Sequence, residues 1–216
     1  MLYDTRTSRR FFDSDYDEEI GTALSWSPDS GTLAIGKRDL HLVDLRRPID
    51  RSRWRELDTI QRIPDPAAPG NTGTLGICDI QDLAYSPDGR SLAVATETHL
   101  VLYDVPGGAT RWARVLVLGT AVTFAGTGNW IACTGMGEAR ILDAGTGESL
   151  SEFDIGPVTV TAVARSSDDR LLATGDGNGF VTVWDTGTGS RLCELKALPA
   201  HAGFPDITAL AFLDES

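Results

Sequence analysis

The chain has 216 residues, with 19 lysines and arginines against 31 aspartates and glutamates, and so a formal net charge of −12 at pH 7. This length is enough for one domain with a sizeable hydrophobic core. The acidic balance argues against a surface that binds nucleic acid or an anionic membrane, because such a surface carries a basic stripe. We therefore predict no nucleic-acid partner and no membrane partner.

The apolar pattern indicates neither a membrane span nor a secretory signal. No stretch approaches about 18 consecutive apolar residues, and the opening MLYDTRTSRRFF has no apolar core of a signal peptide. Three cysteines, Cys78, Cys133 and Cys193, lie far apart and form no Cys-x-x-Cys pair. They indicate free thiols in a reducing compartment. We expect a cytoplasmic location and neither a metal nor a cofactor.

A repeat of about 40 residues runs through the whole chain. Its first marker is a short apolar run that ends in aspartate, at Asp44, Asp104, Asp143 and Asp185, after an initial MLYD. Its second marker is a turn sequence such as SPDS or SPDG, which keeps the same spacing. A period of about 40–45 residues with a Trp-Asp-like end is typical of four-stranded propeller blades. The fold class is therefore predicted to be an all-β propeller of antiparallel blades in a single domain.

Each unit predicts four short strands, named a, b, c and d, which tight turns join into an antiparallel meander. A partial blade comes first, with strand c at 1–4 and strand d at 9–12. The fourth whole blade is the clearest, since GDGNG at 175–179 and TGTG at 186–189 are turn sequences between apolar strands. Whole blades are predicted at about 22–57, 80–117, 121–154 and 158–196, and a last strand a at 207–212 begins a partial blade at 207–216.

The sequence resembles the WD40-repeat family of β-propellers over nearly its whole length. LATGDGNGFVTVWD at 172–185 is the best match, and SPDG at 86–89 and its variant at 27–30 also fit. The resemblance implies a buried Asp–His–Ser/Thr–Trp network of hydrogen bonds in each blade. This chain departs from it: Gly-Pro replaces the usual Gly-His before blade four, and only one strand c ends in Trp-Asp. The resemblance assigns structural roles to Thr174, Asn178, Trp184, Asp185 and His201.

The partial blades at the two ends leave strands without partners. A closing blade made of the leftover c, d and a would lack b, and a cannot reach c across a missing strand at about 4.8 Å per spacing. Such open edges favour aggregation. Three explanations stay open: the chain is an incomplete piece of a larger propeller, self-association or a second chain completes it, or a ring of five blades has one defective blade.

Charged turns are the candidate partner-binding sites. In a meander, the b–c and d–a connections share one face, and the a–b and c–d turns share the other. We predict that the b–c/d–a face binds a protein partner, which is basic where it meets the acidic loop; solvated loops are the alternative. The candidate residues are Asp13, Asp15, Asp17, Glu18, Glu19, Arg38, Glu97 and Asp176.

The acidic loop does not predict a calcium site. Asp13, Asp15 and Asp17 have the spacing of calcium ligands, but Glu18 stands where the motif needs glycine, and Leu24 stands where it needs an acid. Among the tryptophans, Trp54 and Trp112 are expected to be partly exposed, because they fall on outer strands d.

Catalytic motifs are missing from the sequence. It has no G-x-S-x-G elbow, no Walker loop and no H-E-x-x-H. GMGEAR at 135–140 is similar to the start of a dinucleotide-binding loop, but it leads into a strand rather than a helix, so it does not predict such a site. We therefore predict no catalytic residues and a non-catalytic protein–protein interaction scaffold or sensor module of the WD40 type. The alternative is a propeller enzyme, a hydrolase or lyase with a site at the central funnel.

Overall fold

The computed structural model describes residues 2–3, 10–12, 23–36, 40–46, 54–56, 79–197 and 206–213. These residues form strands and turns, and they include no helix long and apolar enough to cross a membrane. The all-β prediction is confirmed. The strands are β1 (Leu2–Tyr3), β2 (Arg10–Phe12), β3 (Ala23–Trp26), β4 (Thr32–Gly36), β5 (Leu40–Asp44), β6 (Trp54–Glu56), β7 (Ile80–Tyr85), β8 (Ser91–Thr96), β9 (His99–Asp104), β10 (Ala109–Val115), β11 (Ala121–Phe124), β12 (Trp130–Thr134), β13 (Met136–Asp143), β14 (Ser149–Arg165), β15 (Leu171–Asp176), β16 (Phe180–Asp185) and β17 (Arg191–Lys196).

The strands pair in sequence order, as an antiparallel meander requires. Strands β3 to β6 form blade one and β7 to β10 form blade two, each as a four-stranded sheet. Strands β11 to β17 form one seven-stranded sheet that holds blades three and four. Strands β1 and β2 pair antiparallel by themselves.

Blades three and four are joined by the long strand β14. Its first half pairs with β13, with Phe153 opposite Ala139, and its second half pairs with β15, with Val163 opposite Thr174. The sequence predicts two strands here, at 149–153 and 158–164, with a loop between them. The structure has one continuous strand, and within it Gly156 takes a φ of +89°, a conformation that glycine adopts without the steric cost of a side chain.

The turns of the second marker are shaped by a serine and an aspartate. In blade two, the Ser86 hydroxyl donates to Asp88 Oδ1 at 2.6 Å and accepts the N–H of Ser91 at 2.9 Å. Blades one and four repeat both hydrogen bonds with the pairs Ser27–Asp29 and Ser166–Asp168. The repeated aspartates therefore set the geometry of the turns from strand a to strand b.

The core lies between successive blades. Each of the three apolar clusters spans two blades, and the middle strands are buried most fully: every residue of β8 is buried. Close approach is allowed by glycine at the end of strand b. A Cβ on Gly36 would lie 2.7 Å from Ile80 Cγ2, and a Cβ on Gly175 would lie 2.4 Å from Ile207 Cγ2.

Two expectations about particular residues differ from the structure. Trp112 is only 8% exposed, because its ring packs on Gly147 of blade three and its Nε1 donates to Ala144 O at 3.0 Å. The expectation that Trp112 is partly exposed is wrong. Residues 206–213 contain no strand, although Ile207 N donates to Asp176 O at 3.2 Å, because the described residues supply no strand b of their own blade for them to pair with.

Candidate protein-interaction face

Hydrogen bonds between turns show which connections share a face. The d–a connection of blades two to three meets the b–c turn of blade three, where Met136 N donates to Val117 O at 2.8 Å. The same connection meets the b–c turn of blade two, where Gly119 N donates to Glu97 O at 3.2 Å. On the opposite side, the a–b and c–d turns meet: Ala144 N donates to Asn129 O at 3.0 Å. The b–c and d–a connections therefore form one face, here called the b–c/d–a face.

The described candidate residues lie on this face but in different settings. Glu97 is exposed in the b–c turn of blade two, and its backbone contacts the next d–a connection. Asp176 is 9% exposed, and its Oδ1 accepts the N–H groups of Asn178 at 2.8 Å and Phe180 at 2.9 Å. Asp176 thus shapes the b–c turn of blade four, and partner binding by either residue stays a prediction. Six candidates lie outside the described residues: Asp13, Asp15, Asp17, Glu18, Glu19 and Arg38.

The structural residues named from the family resemblance hold blade four together in part. Trp184 Nε1 donates to Thr174 Oγ1 at 2.9 Å, and both side chains are buried. Asp185 accepts the N–H groups of Gly187 and Thr188 at the c–d turn, with the Thr188 hydroxyl as a third donor, and these hydrogen bonds lower the pKa of Asp185. Asn178 is exposed and contributes its N–H to the turn. His201 lies outside the described residues.

An exposed apolar patch on the b–c/d–a face is not predicted by the sequence analysis. Val117, Leu118 and Met136 are 57%, 47% and 50% exposed, and the hydrogen bond from Met136 to Val117 brings their two connections together. Leu118 has a φ of +51°, a left-handed conformation that leucine rarely adopts. The sequence signal for this patch is weak: a methionine between two glycines, Gly135 and Gly137, at the start of a strand.

A shallow groove of about 470 Å³ begins at this patch. Met136 pairs with Thr159 and Glu138 pairs with Asp154, so Gly137 stands opposite the four residues 155–158 of β14. The groove opens at this irregularity in the strand pairing. We call the patch and the groove together the Met136 surface. The residues that line the groove are Met136, Gly137, Glu138, Glu152, Phe153, Asp154, Gly156 and Pro157.

The groove is acidic, with one arginine among its carboxylates. Arg140 Nη2 contacts Glu138 Oε2 at 2.9 Å, and its Nε lies 3.7 Å from Glu152 Oε1. Asp154 is exposed, and its Oδ1 accepts the N–H of Gly156 at 3.0 Å. In the described part of the chain, no three His, Cys, Asp or Glu residues are grouped as metal ligands would be. The arrangement offers apolar surface and negative charge side by side.

Comparisons with known proteins agree with this architecture. Residues 147–185 match the family model described as WD domain, G-beta repeat. This stretch runs from Gly147, in the c–d turn of blade three, to the end of β16, so the sequence repeat is offset from the structural blade. A search of curated proteins finds no match.

A solved structure titled "Crystal Structure of Mitotic Checkpoint Complex" contains a similar chain, with a TM-score of 0.65 and 15% sequence identity. The alignment covers 84% of this chain and 52% of that chain, so this chain spans about half the length of that one. At this identity the likeness shows the fold alone. The fold is that of a β-propeller, whether or not the blades of this chain close a ring. The repeat match at 147–185 confirms the resemblance to WD40-repeat β-propellers found in the sequence.

Proposed function

We propose that the chain is a non-catalytic module that binds a protein partner through its b–c/d–a face and acts as a scaffold or sensor. The observation that carries the proposal is the patch of Val117, Leu118 and Met136. Contiguous exposed apolar side chains on a protein surface often mark interaction sites. The similar chain in the mitotic checkpoint complex supports this role, because by its title that structure is of a complex.

The proposal also covers the charge of the partner and the cellular location of the chain. Glu97 on this face fits a basic partner, and the acidic residues at 13–19, which lie outside the described residues, are predicted from the sequence to meet the same partner. Self-association, or completion of the propeller by a second chain, is a further form of the proposed assembly. A cytoplasmic location is supported by the two described cysteines, Cys133 and Cys193, which are free thiols. Free thiols persist in reducing compartments.

The experiment is affinity purification of the tagged chain from its native cells after brief crosslinking, followed by reconstitution with the purified partner. We expect a stoichiometric partner whose binding protects Glu97 and the connection at 116–120 from hydrogen exchange. The absence of any partner, together with substrate turnover that a substitution at the central funnel abolishes, would contradict the proposal and favour the propeller enzyme.

A further inference from the structure

The apolar part of the Met136 surface is held in place by the backbone. Gly135 N donates to Glu138 O at 3.0 Å, and Thr120 N donates to Thr134 O at 3.1 Å, on either side of the patch. Leu118 stays in its left-handed conformation with almost half of its side chain in solvent. A conformation of this kind persists only where the surroundings fix it, and such positions cluster at ligand clamps. The patch is therefore presented on connections that are already ordered.

The charges around the patch have one dominant sign. Glu97 lies on one side of Leu118, and Glu138, Glu152 and Asp154 lie along the groove on the other side. With Arg140, these four carboxylates give a formal charge of −4 + 1 = −3. Arg140 contacts Glu138 and the exposed Glu152, whereas Glu97 and Asp154 are exposed acids that Arg140 does not contact.

We propose that the Met136 surface binds a protein segment in which an apolar side chain is flanked by lysine or arginine. The apolar side chain packs on Leu118 and Met136, and the basic side chains pair with Asp154 and Glu97. An acidic segment is disfavoured by repulsion, so the charge selects between partners of equal apolar character. This inference rests on the proposed function and names the partner chemistry at that face.

The test is a selection of random peptides displayed on phage against the intact 216-residue chain, followed by affinity measurements with the synthesised winners. We expect the winners to carry an apolar residue flanked by lysine or arginine. Leu118→Asn is the first variant, because asparagine accepts positive φ more readily than leucine, so the loop keeps its shape while apolar surface is lost. It should weaken binding about tenfold.

Asp154→Asn is the charge variant, because its amide oxygen still accepts the Gly156 N–H while the negative charge is gone. It should weaken binding roughly threefold, and it should reduce the loss of affinity on going from about 50 to about 200 mM salt. The matched control is Leu192→Asn, a change of another exposed leucine, at 55% exposure, on β17 of blade four, which does not line the groove. It should leave peptide affinity unchanged.

Three results overturn the inference: no peptide enriched above background, winners without basic residues, or winners that bind Leu118→Asn as well as the parent. Concentration-dependent self-association that Leu118→Asn abolishes would also overturn it, because the occupant is then a second copy. A native partner that binds Leu118→Asn with full affinity contradicts this inference and leaves the proposed function standing. Failure to purify any partner counts against the proposed function itself.

Discussion

Asp82 of β7 accepts a hydrogen bond from the backbone N–H of Val122 in β11, with 2.8 Å between Oδ2 and N. Its Oδ1 accepts the N–H of Leu83 at 2.9 Å. One carboxylate therefore links the strands a of blades two and three, and the matching position of β3 and β11 is alanine. Burial raises the pKa of Asp82, against the two hydrogen bonds, which lower it.

Asp82→Ala should destabilise the fold by about 1–3 kcal/mol, because the buried Val122 N–H loses its acceptor. Asp82→Asn should cost less, because its amide oxygen can still accept that N–H. Urea denaturation of the three chains at pH 7 measures the difference. Equal midpoints for Asp82→Ala and the parent would show that the link contributes nothing.

The raised pKa of Asp82 gives this site a pH dependence of definite sign. A carboxyl whose pKa is higher in the folded state than in the unfolded state adds stability at low pH, and it loses that contribution as pH rises through the folded pKa. The free energy of unfolding of the parent should therefore fall toward that of Asp82→Asn as pH rises from about 4 to about 7, so the difference between the two chains should become smaller. A deficit that widens over this range would contradict burial as the dominant effect.

The sequence predicts the architecture well, because the period of the strand and turn markers follows the blade itself. SPDG at 86–89 is a turn in which Ser86 and Asp88 bond as the motif requires. The Met136 surface escapes prediction because it depends on strand register. Nothing in the periodicity shows that Gly137 will stand opposite four residues of β14. Trp112 is misjudged for a similar reason, since its burial depends on the next blade.

Gly147 and Gly189 form a matched pair for testing how blades three and two pack. They occupy the same place in the c–d turns of blades three and four, with φ of +69° and +70°. A Cβ on Gly147 would lie 2.8 Å from Trp112 Cδ2, whereas a Cβ on Gly189 meets nothing within 4 Å. Both alanine substitutions carry the backbone strain of about 1 kcal/mol.

Gly147→Ala should therefore cost about 1–3 kcal/mol more than Gly189→Ala, because the Trp112 ring must shift. Thermal unfolding gives the stability difference, and the tryptophan emission of the chain, to which Trp112 contributes, should shift to the red in Gly147→Ala but not in Gly189→Ala. Equal losses in the two variants would mean that the ring adapts without cost.

The turn aspartates should make the fold sensitive to acid. Hydrogen bonds from serine hydroxyls and backbone N–H groups lower the pKa of Asp168 and Asp88, and they lower that of Asp29 to about 2. A carboxyl whose pKa is lower in the folded state adds stability at a pH above its pKa in the unfolded state. That contribution is lost as pH falls through its pKa in the folded state. The melting temperature should therefore fall as pH drops from about 5 to about 2.

Asp168→Asn should make this fall shallower, because its oxygen still accepts the Arg170 N–H but no longer titrates. Glu148→Gln, an exposed change at a c–d turn, is the control and should follow the parent curve. If Asp168→Asn has the same slope as the parent between about pH 5 and pH 2, the turn hydrogen bonds do not govern acid unfolding.

The bond from Trp184 to Thr174 tests how much of the family network operates in blade four. Trp184→Phe removes the indole N–H, and Thr174→Val removes the acceptor in a site of similar shape. If the hydrogen bond stabilises the blade, the double variant should be more stable than the sum of the single losses predicts, with a coupling of about 0.5–1.5 kcal/mol. Trp184 also contacts Phe153, with ring centroids 5.4 Å apart, and phenylalanine keeps part of that packing. The coupling therefore reports the hydrogen bond, and losses that add within about 0.3 kcal/mol would show that Trp184 acts through packing alone.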